Sequence, residues 1–104
     1  MMKKIAFKMK LKPGKKEEYK KRHAAIWPEL AALLKESGIS DYTIFLDEET
    51  NILFAVQRLS GNSSQDLGGE ELVQRWWKYM ADIMETNKDY SPVSIPLTKM
   101  FHLE

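Results

Sequence analysis

The chain has 104 residues, room for one hydrophobic core but not for two. Its 43% hydrophobic content, with three Trp and four Phe, points to a packed globule and excludes a disordered chain. Lys+Arg 16 against Asp+Glu 15 leaves a net charge of +1, without the positive excess that nucleic acid or an anionic membrane surface attracts. No apolar run approaches the roughly 20 residues needed to span a bilayer. Lysines at 3, 4, 8 and 10 interrupt the apolar residues near the start, so no signal peptide is expected. The absence of cysteine excludes disulfides, thiolate catalysis and Cys-based zinc sites, and makes a reducing cytoplasm the expected compartment. A single domain over 1–104 is expected.

In residues 3–11, Ile5, Phe7, Met9 and Leu11 alternate with lysines, the period of a half-buried strand. Pro13-Gly14 turns the chain. Over 15–37 the residues Tyr19, His23, Ile26, Trp27, Leu30, Leu33 and Leu34 recur at helical spacing, and Gly38 supplies the stop. Pro28 falls inside that pattern, which predicts a kink or break near Trp27, or two shorter helices. Residues 41–46 and 51–59 read as strands joined by a polar hairpin turn over 47–50. The second of these is apolar on both faces at 52–56, as suits a strand in the middle of a sheet. Residues 60–69 are rich in Gly, Ser and Asn and read as a loop. A further helix is predicted over about 70–84, its apolar face set by Val73, Trp76, Trp77, Met80, Ile83 and Met84. Residues 87–96 hold two prolines and are extended or turning, and 97–103 alternate again as a last strand.

The order βαββαβ predicts an α+β, ferredoxin-like fold, with two main helices on one face of a four-stranded antiparallel sheet. The other face is then left to solvent or to another chain. The two-faced 52–56 strand favours a homodimer that covers it.

His23 lies four residues from both Tyr19 and Trp27, so a continuous helix would project all three from one side. Imidazole suits proton transfer near neutral pH, and equally suits a half-buried, hydrogen-bonded structural role. Trp76 and Trp77 lie about 100° apart on a helix, so one ring is expected to pack and the other to edge a pocket. An indole face suits the C–H face of a sugar, although both rings could equally be core. Arg75, Lys78 and Asp82 read as solvated surface charges, and Tyr42 opens a strand where its hydroxyl could reach a ligand or solvent. His102, in the terminal segment, is read as structural or exposed. With two distant histidines, no Gly-rich phosphate loop and no nucleophile elbow, neither metal nor cofactor is expected.

Several strings together resemble one family. Residues 19–23 (Tyr-Lys-Lys-Arg-His) followed by 26–30 (Ile-Trp-Pro-Glu-Leu) are similar to the first signature of the L-rhamnose mutarotases, and 74–80 (Gln-Arg-Trp-Trp-Lys-Tyr-Met) to the second. Asn87 with Asp89, then Ser91-Pro92-Val93, and finally Phe101-His102-Leu103 resemble the segments that follow. The resemblance covers nearly the whole chain. It implies a ferredoxin-like domain of the dimeric α/β barrel type, His23 as proton donor, and Tyr19, Tyr42, Trp76 and Trp77 as sugar-binding positions. The loop over 60–69 is richer in Gly and Ser than the family leads one to expect, and is expected to touch none of these residues.

What the resemblance implies is an isomerase that interconverts the α and β anomers of L-rhamnopyranose by general acid–base ring opening and reclosure, with no redox change, metal or nucleotide. Fold alone would not select this activity. A cofactor-free monooxygenase of the same architecture would have a mostly apolar pocket and consume oxygen. A non-catalytic sugar-binding module would hold rhamnose and leave its anomer exchange unchanged. Glu29 and Asp82 are candidates to orient His23.

Overall fold

The computed structural model describes residues 3–104. The alternating lysines and apolar residues at the start form β1 (Lys3–Lys10), with Phe7 and Met9 inward. Gly14 turns the chain at φ 78, a left-handed conformation that costs glycine little. The helix α1 (Lys16–Ala24) has Glu17 and Glu18 in its first turn and Lys21, Arg22 and His23 in its last, matching the helix dipole at both ends. Trp27 then takes ψ 128, the extended backbone favoured before a proline, and Pro28 opens α2 (Pro28–Glu36) at its first turn. The expected break is therefore complete, giving two helices where a single kinked one was the alternative.

Gly38, at φ 90, leads into β2 (Ile39–Asp47), which pairs antiparallel with β3 (Ile52–Leu59) through the expected hairpin. Asn51 closes that turn at φ 60, its N–H donating to the Asp47 carbonyl at 2.9 Å. The Gly/Ser-rich loop contains one 3-10 turn (Ser64–Asp66), opened by Ser63 and Asp66, each accepting from the other's end of the turn. Next come α3 (Glu71–Met80) and the short β4 (Ser94–Pro96). The sheet order is β2-β3-β1-β4, all antiparallel, with β3 central as its two-faced apolar pattern predicted.

Three elements differ in extent from the sequence reading. β2 begins at Ile39, two residues before 41, so Tyr42 lies inside the strand and does not open it. The last helix stops at Met80, not near 84; beyond it the chain turns, and Met84 bridges to Leu11 while the Lys12 N–H donates to the Ile83 carbonyl at 2.9 Å. Ile83 and Met84 are buried all the same, so their apolar character reports core position and not helical geometry. The last strand is Ser94–Pro96 and not 97–103. After Pro96, which has no N–H to give a ladder, the Leu97 N–H makes one bond to the Ala6 carbonyl at 2.9 Å, and the chain then runs exposed to its end. An alternating segment becomes a strand only beside an edge that accepts it.

Residues paired across antiparallel strands share a face. Leu46, Leu53 and Met9 form one row and Ile44, Ala55 and Phe7 the next, and these pack with Leu30, Val73, Trp76 and Met80 into one core. The opposite face carries the row Phe45, Phe54, Lys8 and Ile95, with Phe45 62% exposed.

Candidate active site

Between the helices and the β2 side of the sheet lies a cavity of about 1100 Å³. Tyr19, His23, Tyr42, Trp76 and Trp77 all line it, so residues far apart in the sequence converge on one space. Tyr19 and His23, one turn apart on α1, stack with ring centroids 4.3 Å apart. The His23 ring meets the edge of Trp76 at 5.5 Å and 87°. Trp27 reaches the same cluster by another route than the expected one. It precedes α2 and is not on the helix of His23, and it packs edge-on against Trp76 at 5.0 Å. Both adjacent indoles are 8% exposed, so neither merely edges the pocket: Trp76 backs onto the aromatic cluster and Trp77 onto the Gly/Ser-rich loop.

The ring of His23 is oriented by its own helix. Nδ1 lies 3.2 Å from the Tyr19 carbonyl, which can only accept, so the proton of the neutral ring sits on Nδ1 and Nε2 is left with a lone pair. Burial pushes the His23 pKa below its ordinary value, and the Tyr19 carbonyl offsets part of that shift. Burial drives the Tyr19 phenol far up, with a further contribution from nearby Tyr42, so Tyr19 serves as a neutral hydrogen-bonding group. Tyr42 is also raised by burial, while hydrogen bonding from Ser64 and Gln57 works in the opposite direction.

Tyr42 owes its place to a β-bulge. The register passes from Ser40 opposite Arg58 to Thr43 opposite Val56, so Asp41 and Tyr42 together face Gln57. Asp41 takes φ 51, a conformation Asp tolerates better than most residues.

The expected orienting acids act elsewhere. Glu29 is exposed. Asp82 binds the guanidinium of Arg22, at 2.8 Å to Nη1 and 3.2 Å to Nη2, and is not the plain solvated charge expected. Arg22 also donates to Glu18 at 2.7 Å and to the Tyr79 carbonyl at 2.8 Å, and lies 4.5 Å from the centre of the Tyr79 ring. This residue, next to His23, thereby clamps α1 onto the end of α3. Arg22→Ala should lower stability by about 1 kcal/mol, a drop of several degrees in Tm by circular dichroism, smaller at high salt. His102 is exposed and stands apart from the cavity.

The 60–69 loop does touch the site, contrary to expectation. A Cβ on Gly68 would lie 3.2 Å from the Trp77 ring, and Ser64 and Gln65 line the cavity. Gln57 was also missed, although a polar residue at an inward position of an otherwise apolar strand is a readable signal. Ser64 carries no such signal.

Comparison with known proteins agrees with this architecture. The family model described as L-rhamnose mutarotase matches residues 4–103. An L-rhamnose mutarotase of Bacteroides thetaiotaomicron is 65% identical, the match covering 99% of this chain and all of that one. One from Phocaeicola vulgatus is 60% identical over the same 99% of this chain and 100% of its own. The crystal structure of an L-rhamnose mutarotase from Formosa agariphila superposes with a TM-score of 0.92 at 56% identity, covering 98% of this chain and 99% of that one. With the strings around His23 and Trp76-Trp77 inside a match that runs from β1 through the exposed tail, this chain belongs to the L-rhamnose mutarotase family.

Proposed function

We propose that the protein interconverts the α and β anomers of L-rhamnose in this cavity, with His23 as the group that moves the proton. The supporting observation is the setting of His23: half-buried, its pKa lowered by that burial, with Nδ1 against the Tyr19 carbonyl so that Nε2 carries the lone pair, on a wall shared with two indoles and two phenols. Nε2 takes the proton of the anomeric hydroxyl, directly or through a water. The bond between C1 and the ring oxygen breaks as the C1 carbonyl forms, and His23 hands the proton to the ring oxygen. Rotation about C1–C2 and the reverse steps close the ring on the other face. Protons and electrons balance within the sugar and one imidazole. Tyr19 and Tyr42 hold hydroxyls, while Trp76 and Trp77 offer apolar faces to the C–H side of the sugar. With zero cysteines in the chain, we place the reaction in the cytoplasm.

We further propose that a second copy of the chain covers the open sheet face. The row Phe45, Phe54, Lys8 and Ile95, together with a tail in which Met100 is 88% exposed, supplies an apolar surface suited to a two-fold partner. Light scattering should give twice the monomer mass, and Phe45→Asp should shift it toward monomer; a monomeric wild type would overturn the dimer.

Saturation-difference NMR on L-rhamnose tests the activity. The expected result is faster anomer exchange at catalytic protein concentrations. Exchange at the spontaneous rate with bound sugar would mean a binding module, and no binding at all would remove rhamnose as the substrate.

A further inference from the structure

Of the two adjacent indoles, Trp76 is held by three neighbouring rings, those of His23, Trp27 and Tyr79. Trp77 packs on no other ring among the described residues. It lines the main cavity and also a smaller one of about 430 Å³, which it shares with Gly68, Gln74 and Tyr90. A ring set between two cavities is free to tilt unless its outer edge is stopped, because packing restrains a side chain only where atoms touch it. At that edge stands Gly68. A Cβ built on it would lie 3.2 Å from Cζ3 and 3.3 Å from Cη2 of Trp77, inside the roughly 3.5–4.0 Å at which carbon atoms rest against each other.

The backbone at this position does not demand glycine. Gly14 and Gly38 take left-handed φ values and Gly68 does not, so alanine fits the local conformation and conflicts only with the ring. The segment is also pinned, which limits how far it can retreat. The Gln74 Nε2, three residues before Trp77 on α3, donates to the Gly68 carbonyl at 2.6 Å. Just downstream, the Glu70 N–H donates to the Leu67 carbonyl at 3.0 Å and leads straight into α3. Upstream, the 0% exposed amide of Gln57 on β3 engages Ser64 twice: Nε2 donates to the hydroxyl, and Oε1 accepts from the backbone N–H at 3.2 Å. An amide buried so completely must keep those partners, so the loop is tied to the sheet at one end and to α3 at the other.

We propose that Gly68 is a positioning residue: a pinned stretch of bare backbone that seats the Trp77 ring on the cavity wall, with Gln74 holding the seat in place. The inference rests on the mutarotase reading for the sugar that meets the indole, and on the geometry alone for the seat. An aromatic face receives the C–H side of a pyranose at one distance and tilt. A ring displaced from that setting binds the sugar less well, while the proton transfer at His23 is left largely as it was.

The test uses the full chain with 15N-labelled tryptophan, whose three indole N–H signals are resolved by NMR. In Gly68→Ala the Trp77 signal, assigned with Trp77→Phe, should move with or without sugar, while that of Trp27 stays in place. In rhamnose exchange, Gly68→Ala should raise KM by roughly three- to tenfold, the worth of an aromatic contact, with less change in kcat. Phenylalanine is too short to meet the added methyl, so in the Trp77→Phe background Gly68→Ala should raise KM no further. Gln74→Met, an exposed change that leaves the core intact, should move the same indole signal to a smaller extent by releasing the Gly68 carbonyl. It decides the matter if Gly68→Ala does not fold. An unmoved Trp77 signal in folded Gly68→Ala, or in Gln74→Met where that variant decides, would overturn the proposal. So would a KM effect of Gly68→Ala that persists undiminished in Trp77→Phe, since that is a general loss of structure. Failure of the wild type to speed rhamnose exchange would sink the mutarotase reading, and the indole spectrum would still decide the seating of Trp77.

Discussion

His23→Gln should reduce the rate of rhamnose anomer exchange by about 10²–10⁴-fold, the usual contribution of one positioned acid–base group. Glutamine keeps much of the volume against Tyr19 and Trp76 and cannot carry a proton between two oxygens, so the fold survives while turnover falls. The pH dependence separates this role from a structural one. Burial holds the His23 pKa below its ordinary value, so the free Nε2 persists from neutral pH into mildly acidic solution. The rate should stay level there and drop only as pH falls through the lowered pKa; in His23→Gln the residual rate should show no such step. Stability carries the same sign. The unfolded chain takes up the proton first as pH falls below about 6.5, so stability is full above that value and declines toward the lowered pKa. Acid titration of the unfolding free energy should therefore lose one component in His23→Gln. Near-normal turnover of that variant would remove His23 from the mechanism.

Trp76→Ala should cost about 3–5 kcal/mol of stability, a large share of what a domain of this size holds. Trp76 is the ring on which the site's aromatics meet: His23 at 5.5 Å, Trp27 at 5.0 Å and Tyr79 at 5.6 Å. Removing it opens a cavity between α1, α2 and α3 and frees the His23 ring on one side. Urea unfolding measures the loss. Trp76→Phe keeps most of the packing and is the variant for kinetics. There KM should rise about tenfold from the smaller stacking face and the lost indole N–H, with kcat less affected. A fall confined to kcat would mean that Trp76 acts by holding His23 and not by holding sugar.

The order of elements could be read from the residues because each depends on local patterning. Lysines alternating with Ile5, Phe7 and Met9 can bury one face only as a strand, and the spacing of Val73, Trp76, Trp77 and Met80 can do so only as a helix. Pro28 dictated a break wherever the chain was otherwise helical. The strings around His23 and Trp76-Trp77 marked Tyr19, His23, Trp76 and Trp77, and the resemblance as a whole marked Tyr42; the fold brings all five to one cavity.

The remaining features depend on contacts between distant segments, which no local pattern encodes. The last helix ends at Met80 because Met84 finds Leu11, and the last strand is Ser94–Pro96 because β1 accepts those residues and not 97–103. The Arg22–Asp82 pair spans 60 positions, and charges that look solvated on their own elements are neighbours only after α1 and α3 pack. Above all, the Gly/Ser-rich loop read as bystander proved to be wall, since Gly68 admits the Trp77 ring and Ser64 satisfies the buried amide of Gln57. Burial created that need for a partner, and burial exists only in the folded chain.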